Sequence, residues 1–523
     1  MSAPYRKQWS IWRDCQQNKE KKMNNTIREI LVDVEQRLGA EDAIRYKVKK
    51  DTIGAKSYTD LKQDSESFSC VLKALGEQGH HIALTGMTSY AWIVTYFGIV
   101  DCGSVAVPLD VSLPAEEMCE LIDRADATVF VVDEIRKDVA AIVKERCPKL
   151  KYLISMQKEV SDEDSLSFWQ ILKEHAGSCD IEPDADALAT IMFTSGTTGK
   201  SKGVMLTHRN LANNATCLDM KFPPRSVLLS VLPIHHAYCL TMDIIKGLAY
   251  GSIICINDSL IRMVKNIKLF QPTIILMVPL MLETMAKKLE DLSELSPEAV
   301  KKEVFGEQLQ FICSGGAYMP PAMIDLFGKY GIQILQGYGM TECAPVISST
   351  VSWNVRVGSV GQLVPNCEAK TVDEELWVRG SSVMQGYYQM PKETEETLVD
   401  GWLRTGDLGY VDEEGFVYLT GRKKNLIITK NGENVSPEEL ENKIGEHRLV
   451  QEILVRESEG VIEAEIFPDL EYAEKKGIID MQKELQDIID TYNQGAPAYK
   501  KVYRLKVRET EFEKTPSKKI KRY

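Results

Sequence analysis

A segment rich in glycine and hydroxyl residues, 194–201, has the residue types of a phosphate-binding loop. It reads TSGTTGKS and is followed by Lys202 and Gly203. Glycines let the backbone approach an anion closely, while hydroxyl and ammonium groups bind phosphate oxygens. The segment differs by one residue from the Walker A pattern G-x-x-x-x-G-K-[ST], because Thr194 stands where that pattern has glycine. Three interpretations are open here: a degenerate Walker loop, a different phosphate cradle and an ordinary polar turn.

The residues on either side favour a hairpin over a Walker loop. A Walker lysine begins a helix, whose N-terminus receives the phosphate. Here residues 189–193 (ATIMF) and 203–206 (GVML) both look like strands, and the next helix signal is Thr207. We therefore predict a loop between two strands. The residues expected to surround an anion there are Thr194, Ser195, Gly196, Thr197, Thr198, Gly199, Lys200 and Lys202.

Composition indicates a large acidic globular protein. The 523 residues, at about 150 residues per domain, suggest three or four structural units. The net charge of −13 argues against a nucleic-acid-binding protein. The 12 cysteines form no C-x-x-C pair and no Cys/His cluster, which favours reduced thiols over disulfides or zinc. With no secretory signal and no apolar stretch long enough to span a bilayer, we expect a soluble, cytoplasmic protein without an integral membrane segment.

Alternating helix and strand patterns predict an α/β fold. The strand-like segments 80–86 and 127–133 flank an apolar helical segment at 89–103, an arrangement typical of βαβ units in largely parallel sheets. We expect a large N-terminal body of several subdomains, with helices flanking its sheets. The predicted division is a polar N-terminal extension at 1–24, a large N-terminal domain at 25–421 and a C-terminal domain at 422–523.

The C-terminal domain is predicted to be a small, mobile α+β unit. Its first helix has an entry signal in which Ser436 is the N-cap, Pro437 takes the first helical position and Glu439 completes a capping box. Two strand-like segments follow, and residues 470–493 predict one long amphipathic helix before a last strand at 502–509.

Seven segments along the chain resemble, in order, the motifs of the adenylate-forming superfamily. This superfamily includes acyl-CoA synthetases, luciferases and peptide-synthetase adenylation domains. The resemblance covers roughly residues 55–523, and the chain departs from the usual loop at Ser201, where the family has proline. The segments are FTSGTTGKSKG (193–203), LPIHHAY (232–238), SGGAYMP (314–320), GYGMTE (337–342), GWLRTGD (401–407), GRKKNLIITKNGENVSPEELE (421–441) and EKTPSKKIKRY (513–523).

The resemblance implies a two-step reaction with ATP, Mg²⁺ and CoA. A carboxylate first joins the α-phosphate of ATP and expels pyrophosphate, and the acyl group then passes from AMP to a thiol. By the resemblance, Thr341 hydrogen-bonds the α-phosphate and Glu342 helps to hold Mg²⁺, an ion that prefers hard oxygen ligands. The alternative for this Thr-Glu pair is a helix cap.

The same resemblance assigns the adenosine contacts. Tyr338 stacks on adenine, with Gly339 beside it in the motif, and a buried core tyrosine is the alternative. Asp407 accepts the ribose hydroxyls and Arg422 reaches the same sugar, although an aspartate of this kind is more often a turn residue. The backbone against which the base would lie is that of Gly315, Gly316 and Ala317.

Lys519 is the residue expected to be catalytic. In the family a lysine of a P-S-G-K-type loop bridges the carboxylate and the α-phosphate. Here the stretch is PSKK, so Lys519 aligns with that lysine while Lys518 replaces glycine and is open to a role in CoA binding. An ordinary basic tail is the alternative. Lys424 occupies the family's hinge position, at which the C-terminal domain rotates between the two steps.

Two positions bear on the acid. His236 stands where amino-acid-activating relatives have aspartate, which disfavours an amino acid, and Gly339 stands where acetate-activating relatives have a tryptophan that closes the pocket. The substrate predicted first is a medium- or long-chain fatty acid, with an aryl acid as the alternative. Loading of an acyl carrier protein is the alternative to CoA, and a non-catalytic relative is the third possibility.

Overall fold

The computed structural model describes residues 24–194, 200–292, 294–429, 433–514 and 520–522. The chain forms two compact units. The first contains residues up to Glu368 together with Val378–Leu403, and the second contains Ala369–Trp377 together with Arg404 onward. The chain passes between the units within the strands Cys367–Val372, Glu375–Gly380 and Trp402–Val411. The division predicted at residue 421 marks where a C-terminal domain is expected to move, and that division stays a prediction.

A nine-stranded sheet in the first unit is parallel at its centre. Six neighbouring strands run parallel, and antiparallel strands close both edges. The central strands are short and apolar, as expected for strands covered on both faces. In spatial order the strands are Gln362–Leu363, Val346–Ser349, Gln333–Gly339, Phe311–Gly315, Ile274–Met277, Val227–Ser230, Ile253–Ile256, Asp42–Lys49 and Thr52–Ser57.

A second sheet of eight strands lies in the same unit. Its last six strands in spatial order run parallel, and the first two form antiparallel pairs at one edge. That antiparallel edge contains the glycine-rich hairpin and therefore positions the candidate site. In spatial order the strands are Gly386–Tyr387, Lys202–Thr207, Leu188–Thr194, Val105–Leu109, His81–Thr85, Ala127–Val132, Tyr152–Ser155 and Leu166–Ser167.

Helices of the first unit alternate with these strands, which confirms the predicted α/β class. Tyr90–Asp101 is buried along its whole length because it is apolar on every face. His208–Thr216 begins with the predicted cap, where the Thr207 side chain accepts a hydrogen bond from the Asn210 amide. The other α-helices are Ile27–Leu38, Tyr58–Ala74, Ala115–Arg124, Lys137–Arg146, Phe168–Glu174, Lys246–Ala249, Met263–Phe270, Pro279–Asp291, Pro297–Val300, Pro321–Gly328 and Pro391–Thr397.

The second unit is a small α+β structure. Strand Trp402–Val411 pairs with the antiparallel strand Val417–Arg422, and this register sets Asp407 opposite Arg422. A three-stranded sheet and its helices enclose a separate apolar core. The remaining strands are Ile427–Ile428, Asn434–Val435, Val450–Ser458, Val461–Pro468 and Arg504–Val507, and the α-helices are Pro437–Gly445, Leu470–Lys476 and Met481–Gly495.

Two details predicted for this unit are wrong. The capping box does not form, because Glu439 accepts hydrogen bonds from Lys443 and Lys500 while the Ser436 hydroxyl donates to Glu438. Residues 470–493 form two helices instead of one. Gly477 ends the first of them in the left-handed conformation, at φ 67°, which glycine adopts readily. Within the described part of the chain, no helix is long and apolar enough to cross a membrane.

Candidate active site

The glycine-rich segment lies on the predicted hairpin. Strands Leu188–Thr194 and Lys202–Thr207 pair antiparallel, with Thr194 opposite Lys202. This geometry excludes a Walker loop, which requires a strand followed by a helix. Where the chain enters the second strand, the Arg124 guanidinium donates to the Ser201 carbonyl at 2.7 Å. Lys200 is exposed, so its ammonium group is accessible to an anion.

Tyr387 connects this hairpin to Glu342. Its strand pairs with the second strand of the hairpin, and the Lys202 ammonium lies 4.6 Å from the centre of its ring. The Tyr387 hydroxyl donates to Glu342 Oε1 at 2.9 Å. The Met384 amide also donates to the Glu342 carbonyl at 2.9 Å, which fixes the backbone. The two predicted sites, phosphate loop and acidic residue, are therefore brought together by a residue that the sequence analysis missed.

The Glu342 carboxylate is held without a described cationic partner. It accepts a hydrogen bond from a neutral phenol, and among the described residues no lysine or arginine forms an ion pair with it. Burial and the nearby Glu342 charge raise the pKa of Tyr387, so the phenol stays protonated and remains a donor. Glu342 lies in the short 3₁₀ turn Thr341–Cys343 and is half-buried.

Two glycines allow strands and turns to approach closely near the predicted adenine site. A Cβ at Gly315 would lie 2.8 Å from the Gly337 carbonyl oxygen, because these residues are register partners in neighbouring strands. A Cβ at Gly339 would lie 1.9 Å from the Pro345 carbonyl oxygen. Any side chain at position 339 would clash with the backbone of the turn that follows, so glycine is required there. The predicted role of Gly339 in the acyl pocket stays a prediction. Gly316 and Ala317 are exposed.

Tyr338 and the adjacent histidines of LPIHHAY, His235 and His236, lie in the first unit. Tyr338 is mostly buried, at 7% exposure, and its predicted contact with adenine stays a prediction. His236 packs against His235, with ring centres 4.2 Å apart, and His235 Nε2 lies 3.6 Å from Asp110. Burial lowers the pKa of both imidazoles, that of His235 to about 3, so both rings are neutral at physiological pH. The predicted role of His236 in disfavouring an amino acid stays a prediction.

Asp407 and Arg422 form an ion pair in the second unit. Arg422 Nε lies 2.6 Å from Asp407 Oδ1, and the aspartate side chain is 7% exposed against 42% for the arginine. The paired strands enforce this contact because the two residues are opposite each other in register. The two residues predicted to contact one ribose therefore contact each other.

A mostly apolar cavity of about 120 Å³ lies within the first unit. Gly337 and Tyr238 line it, so the cavity adjoins the Gly315–Gly337 strand pair. His236 and Gly339 do not belong to its lining among the described residues. Apolar side chains of the wall include Phe222, Met242, Leu276, Leu335 and Val346.

Two family models match this chain. Residues 35–388 match the family described as AMP-binding enzyme, and residues 424–523 match the AMP-binding enzyme C-terminal domain. The chain belongs to the AMP-binding enzyme family. The predicted superfamily and the predicted class of enzyme, an AMP-forming acid–thiol ligase, are confirmed.

Several characterised proteins are similar to this AMP-binding enzyme. The long-chain-fatty-acid–CoA ligase of Salmonella typhimurium is 29% identical over 76% of this chain and 77% of its own. The 4-coumarate–CoA ligase-like 6 of Arabidopsis thaliana is 31% identical over 75% and 73%. The crystal structure of the anthranilate CoA ligase AuaEII with anthranoyl-AMP superimposes with a TM-score of 0.82 at 20% identity, covering 96% of both chains. This last similarity confirms the fold.

Several predicted site residues of the AMP-binding enzyme lie outside the described residues. They are Lys519, its neighbour Lys518, and the loop residues Ser195, Gly196, Thr197, Thr198 and Gly199. The structure describes both ends of the segment that contains Lys519. Lys514 forms an antiparallel β-bridge with Ile520. Arg522 forms an ion pair with Glu441, in which Nη2 lies 2.5 Å from Oε2. Lys424 is exposed at the start of the second family match, and its predicted role as the hinge stays a prediction.

Proposed function

We propose that this AMP-binding enzyme joins a medium- or long-chain fatty acid to CoA through an acyl-AMP intermediate. A carboxylate oxygen attacks the α-phosphorus of ATP, the α–β phosphoanhydride bond breaks and pyrophosphate leaves. The CoA sulfur then attacks the acyl carbon, and AMP leaves with the electrons of the acyl–phosphate bond. Cytoplasmic location and a role in fatty acid metabolism belong to this proposal.

The observation that carries the proposal is the apolar cavity beside the predicted nucleotide motifs. Gly337 and Tyr238 line the cavity, and a Cβ at Gly315 would lie 3.8 Å from Tyr238 Cζ. An acid whose chain occupied this cavity would have its carboxyl end next to the Gly315–Gly337 strand pair. Apolar walls bind an alkyl chain through the hydrophobic effect, which stabilises by about 0.8 kcal/mol for each buried methylene.

The residues around the hairpin have roles that follow from their chemistry. Thr341 and the loop 194–200 would bind phosphate oxygens, and Lys519 would bridge the carboxylate and the α-phosphate. In the second unit, Asp407 would accept hydrogen bonds from the ribose, and Arg422 holds the aspartate in place. Such cations and donors stabilise the charge that develops when two anions react.

Glu342 fits a magnesium ion. Its carboxylate is a hard oxygen ligand whose hydrogen bond from Tyr387 leaves the charge unneutralised. The described residues contain no cluster of three metal-ligating side chains, and Mg²⁺ bound through one carboxylate and substrate phosphates does not need one. When bound, the ion would withdraw charge from the phosphates. The residues of the chain would orient them.

An aryl acid is the second candidate, and two similar proteins favour it. The Arabidopsis relative is named a 4-coumarate–CoA ligase-like protein, and the solved structural neighbour binds anthranoyl-AMP. An aromatic ring would also fit apolar walls. Loading of a carrier protein would use the same first step, since CoA and carrier proteins present the same thiol.

The test is acid-dependent exchange of pyrophosphate into ATP across acetate, octanoate, palmitate, coumarate, anthranilate and amino acids. We expect exchange with octanoate or palmitate, its loss in Lys519→Ala and its retention in Lys518→Ala. Exchange with the aryl acids alone would replace the fatty acid by the second candidate. Exchange with none of the acids, in a protein that still binds ATP, would overturn the proposal. Addition of CoA or of a carrier protein then identifies the thiol.

A further inference from the structure

Lys246 introduces a positive charge into the mostly apolar cavity, whose lining also contains Asp219. It lies immediately after the π-helical segment Tyr238–Ile245, and its side chain belongs to the cavity lining. Desolvation by burial lowers the pKa of its ammonium group. Lys246 is half-buried, and a lysine drawn partly out of water is uncommon because desolvating the charge is costly. An alkyl chain alone makes no hydrogen bond to such a group.

The contacts of Lys246 leave part of its hydrogen-bonding capacity for a ligand. Its Nζ donates to the Ala215 carbonyl at 3.0 Å and to the Leu218 carbonyl at 2.6 Å. These carbonyls lie at the end of helix His208–Thr216, so the lysine caps that helix. An ammonium group has three N–H donors. In the described part of the chain no carboxylate lies within ion-pair distance of Lys246. The charge of Asp219, a carboxylate that pairs with Lys221 at 2.8 Å, attracts the ammonium group from farther away, and the Tyr250 ring centre lies 4.8 Å from it.

The position of Lys246 places it far from the reacting carboxyl group. Tyr238, next to Gly315, marks the cavity end near the nucleotide motifs. Lys246 lies eight positions after Tyr238 along one continuous helical segment, which corresponds to roughly 10–12 Å. A group bound by Lys246 would therefore belong to the distal part of the acyl chain.

We propose that Lys246 recognises an oxygen atom on the distal part of the acid, so that the preferred substrate is an oxygenated fatty acid such as an ω-hydroxy acid. This inference rests on the proposed function, because it assigns the acyl chain to the cavity. The oxygen accepts a hydrogen bond from the ammonium group, and the two main-chain carbonyls hold that group in place. A plain alkyl chain in the same position leaves the cation without this acceptor.

The test compares acids of equal length that differ in one oxygen. Values of kcat/KM for pyrophosphate exchange are measured with palmitate and ω-hydroxypalmitate, and with decanoate and ω-hydroxydecanoate. Hydrogen bonds to charged groups predict that the wild-type enzyme prefers the hydroxylated acid of at least one pair by about tenfold or more. Lys246→Met is expected to abolish that preference, and Lys246→Gln, which keeps an N–H donor, is expected to retain part of it.

Controls separate recognition from the helix-capping role. Loss of the cap alone lowers the activity toward both members of a pair equally and leaves their ratio unchanged. Lys265→Met removes an exposed lysine outside the cavity lining and is expected to leave the ratio at the wild-type value. If the methionine variant shows no cooperative thermal transition, it is not folded and is set aside. The proposal is then judged by whether the wild-type enzyme prefers the hydroxylated acid over the plain acid of equal length.

The outcomes distinguish this inference from the proposed function. Exchange with plain fatty acids, combined with no wild-type preference in either pair, overturns the role of Lys246 and leaves the proposed function standing. An equal preference in wild type and a folded Lys246→Met variant also overturns it. Exchange with neither member of any pair overturns the proposed fatty acid, and the inference with it.

Discussion

Two carboxylates in different units of this enzyme are held in opposite ways. Glu342, in the first unit, is half-buried and accepts a hydrogen bond from the neutral Tyr387 hydroxyl. Asp407, in the second unit, is almost fully buried and pairs with the Arg422 guanidinium at 2.6 Å. One carboxylate is positioned without being neutralised, and the other is positioned by a full positive charge.

This difference matches the two ligands expected at these positions. A carboxylate that keeps its charge is suited to a divalent cation, for which charge attraction is the main term. A carboxylate that is already paired has less charge to offer, but its oxygens are held rigidly, which suits hydrogen bonds to uncharged hydroxyls. The predictions below test whether Glu342 acts through charge and Asp407 through hydrogen bonds.

The largest effect is expected from Glu342→Gln. The amide preserves shape and the capacity to accept the Tyr387 hydrogen bond, but it removes the charge. We expect pyrophosphate exchange to fall by about 10²–10³-fold in kcat/KM, the range for loss of one group that stabilises the transition state. Excess Mg²⁺ should restore part of the activity. Exchange kinetics measured across a Mg²⁺ titration give both quantities.

The control for this prediction is Glu368→Gln. Glu368 is an exposed glutamate of the first unit that pairs with Arg379 at 2.6 Å, and we expect wild-type exchange after its substitution. If Glu342→Gln kept wild-type activity and the wild-type Mg²⁺ requirement, the charge of Glu342 would have no part in metal binding, and the contrast with Asp407 would fail.

A smaller effect, confined to the sugar, is expected from Asp407→Asn. Hydrogen bonds to charged groups contribute roughly 1.5–3 kcal/mol, so the KM for ATP should rise about 10–100-fold. The variant should discriminate less than wild type between ATP and its 2′- and 3′-deoxy analogues, because the group that contacts the hydroxyls is weakened. Exchange assays with the three nucleotides measure this.

Asp412→Asn provides the matched comparison. Asp412 is an aspartate of the same unit that accepts hydrogen bonds from the Glu414 and Phe416 amides, as a turn residue does. Its substitution should leave nucleotide discrimination unchanged. If Asp407→Asn distinguished ATP from its deoxy analogues as well as wild type does, Asp407 would be a structural turn residue without a contact to the ribose.

Local patterns predicted much of this fold. The apolar strands, the buried helix at 90–101 and the hairpin around the glycine-rich loop follow from periodicity, and Thr207 caps its helix as expected. Gly477 divides the predicted helix at 470–493 because a left-handed residue ends a helix, and a single glycine does not fix that conformation in advance. Glu439 leaves its capping box because Lys500, 61 residues away, competes for it.

The candidate site was less predictable where it depends on contacts between distant segments. Motif resemblance identified Glu342 and Lys202, but Tyr387, which joins them, lies on a two-residue strand that has no periodicity to detect. Lys246 was also missed, because a lysine in a helical segment normally indicates an exposed face. Only the cavity shows that its side chain belongs to a mostly apolar wall, so sequence patterns could not have singled it out.

Tyr387→Phe tests how Glu342 is positioned. The variant keeps the ring that contacts Lys202 and removes the hydroxyl that holds the carboxylate. Loss of such a supporting hydrogen bond typically weakens metal binding by 10–100-fold, and we expect about tenfold in the apparent affinity for Mg²⁺. Calorimetric titration of Mg²⁺ into enzyme with ATP measures this without turnover.

The adjacent tyrosine supplies the control. The Tyr388 hydroxyl donates to Asp126 at 2.6 Å, away from Glu342, so Tyr388→Phe should bind Mg²⁺ as wild type does. A matching loss in both variants would indicate a general effect on the strand pair, and no loss in Tyr387→Phe would show that Glu342 needs no positioning from its neighbour.

The smallest effect is expected from Arg422→Met, and it tests whether the arginine acts through Asp407. Because the arginine side chain is 42% exposed, solvent screens the pair, and we expect the free energy of unfolding to fall by about 1 kcal/mol in urea denaturation. Most of this loss comes from leaving the buried Asp407 charge without the arginine. The double variant Arg422→Met with Asp407→Asn should therefore recover the lost free energy of unfolding. An additive double variant would mean that Arg422 stabilises the unit independently. Water would then have to position Asp407, and the contrast between a neutrally held Glu342 and a charge-held Asp407 would disappear.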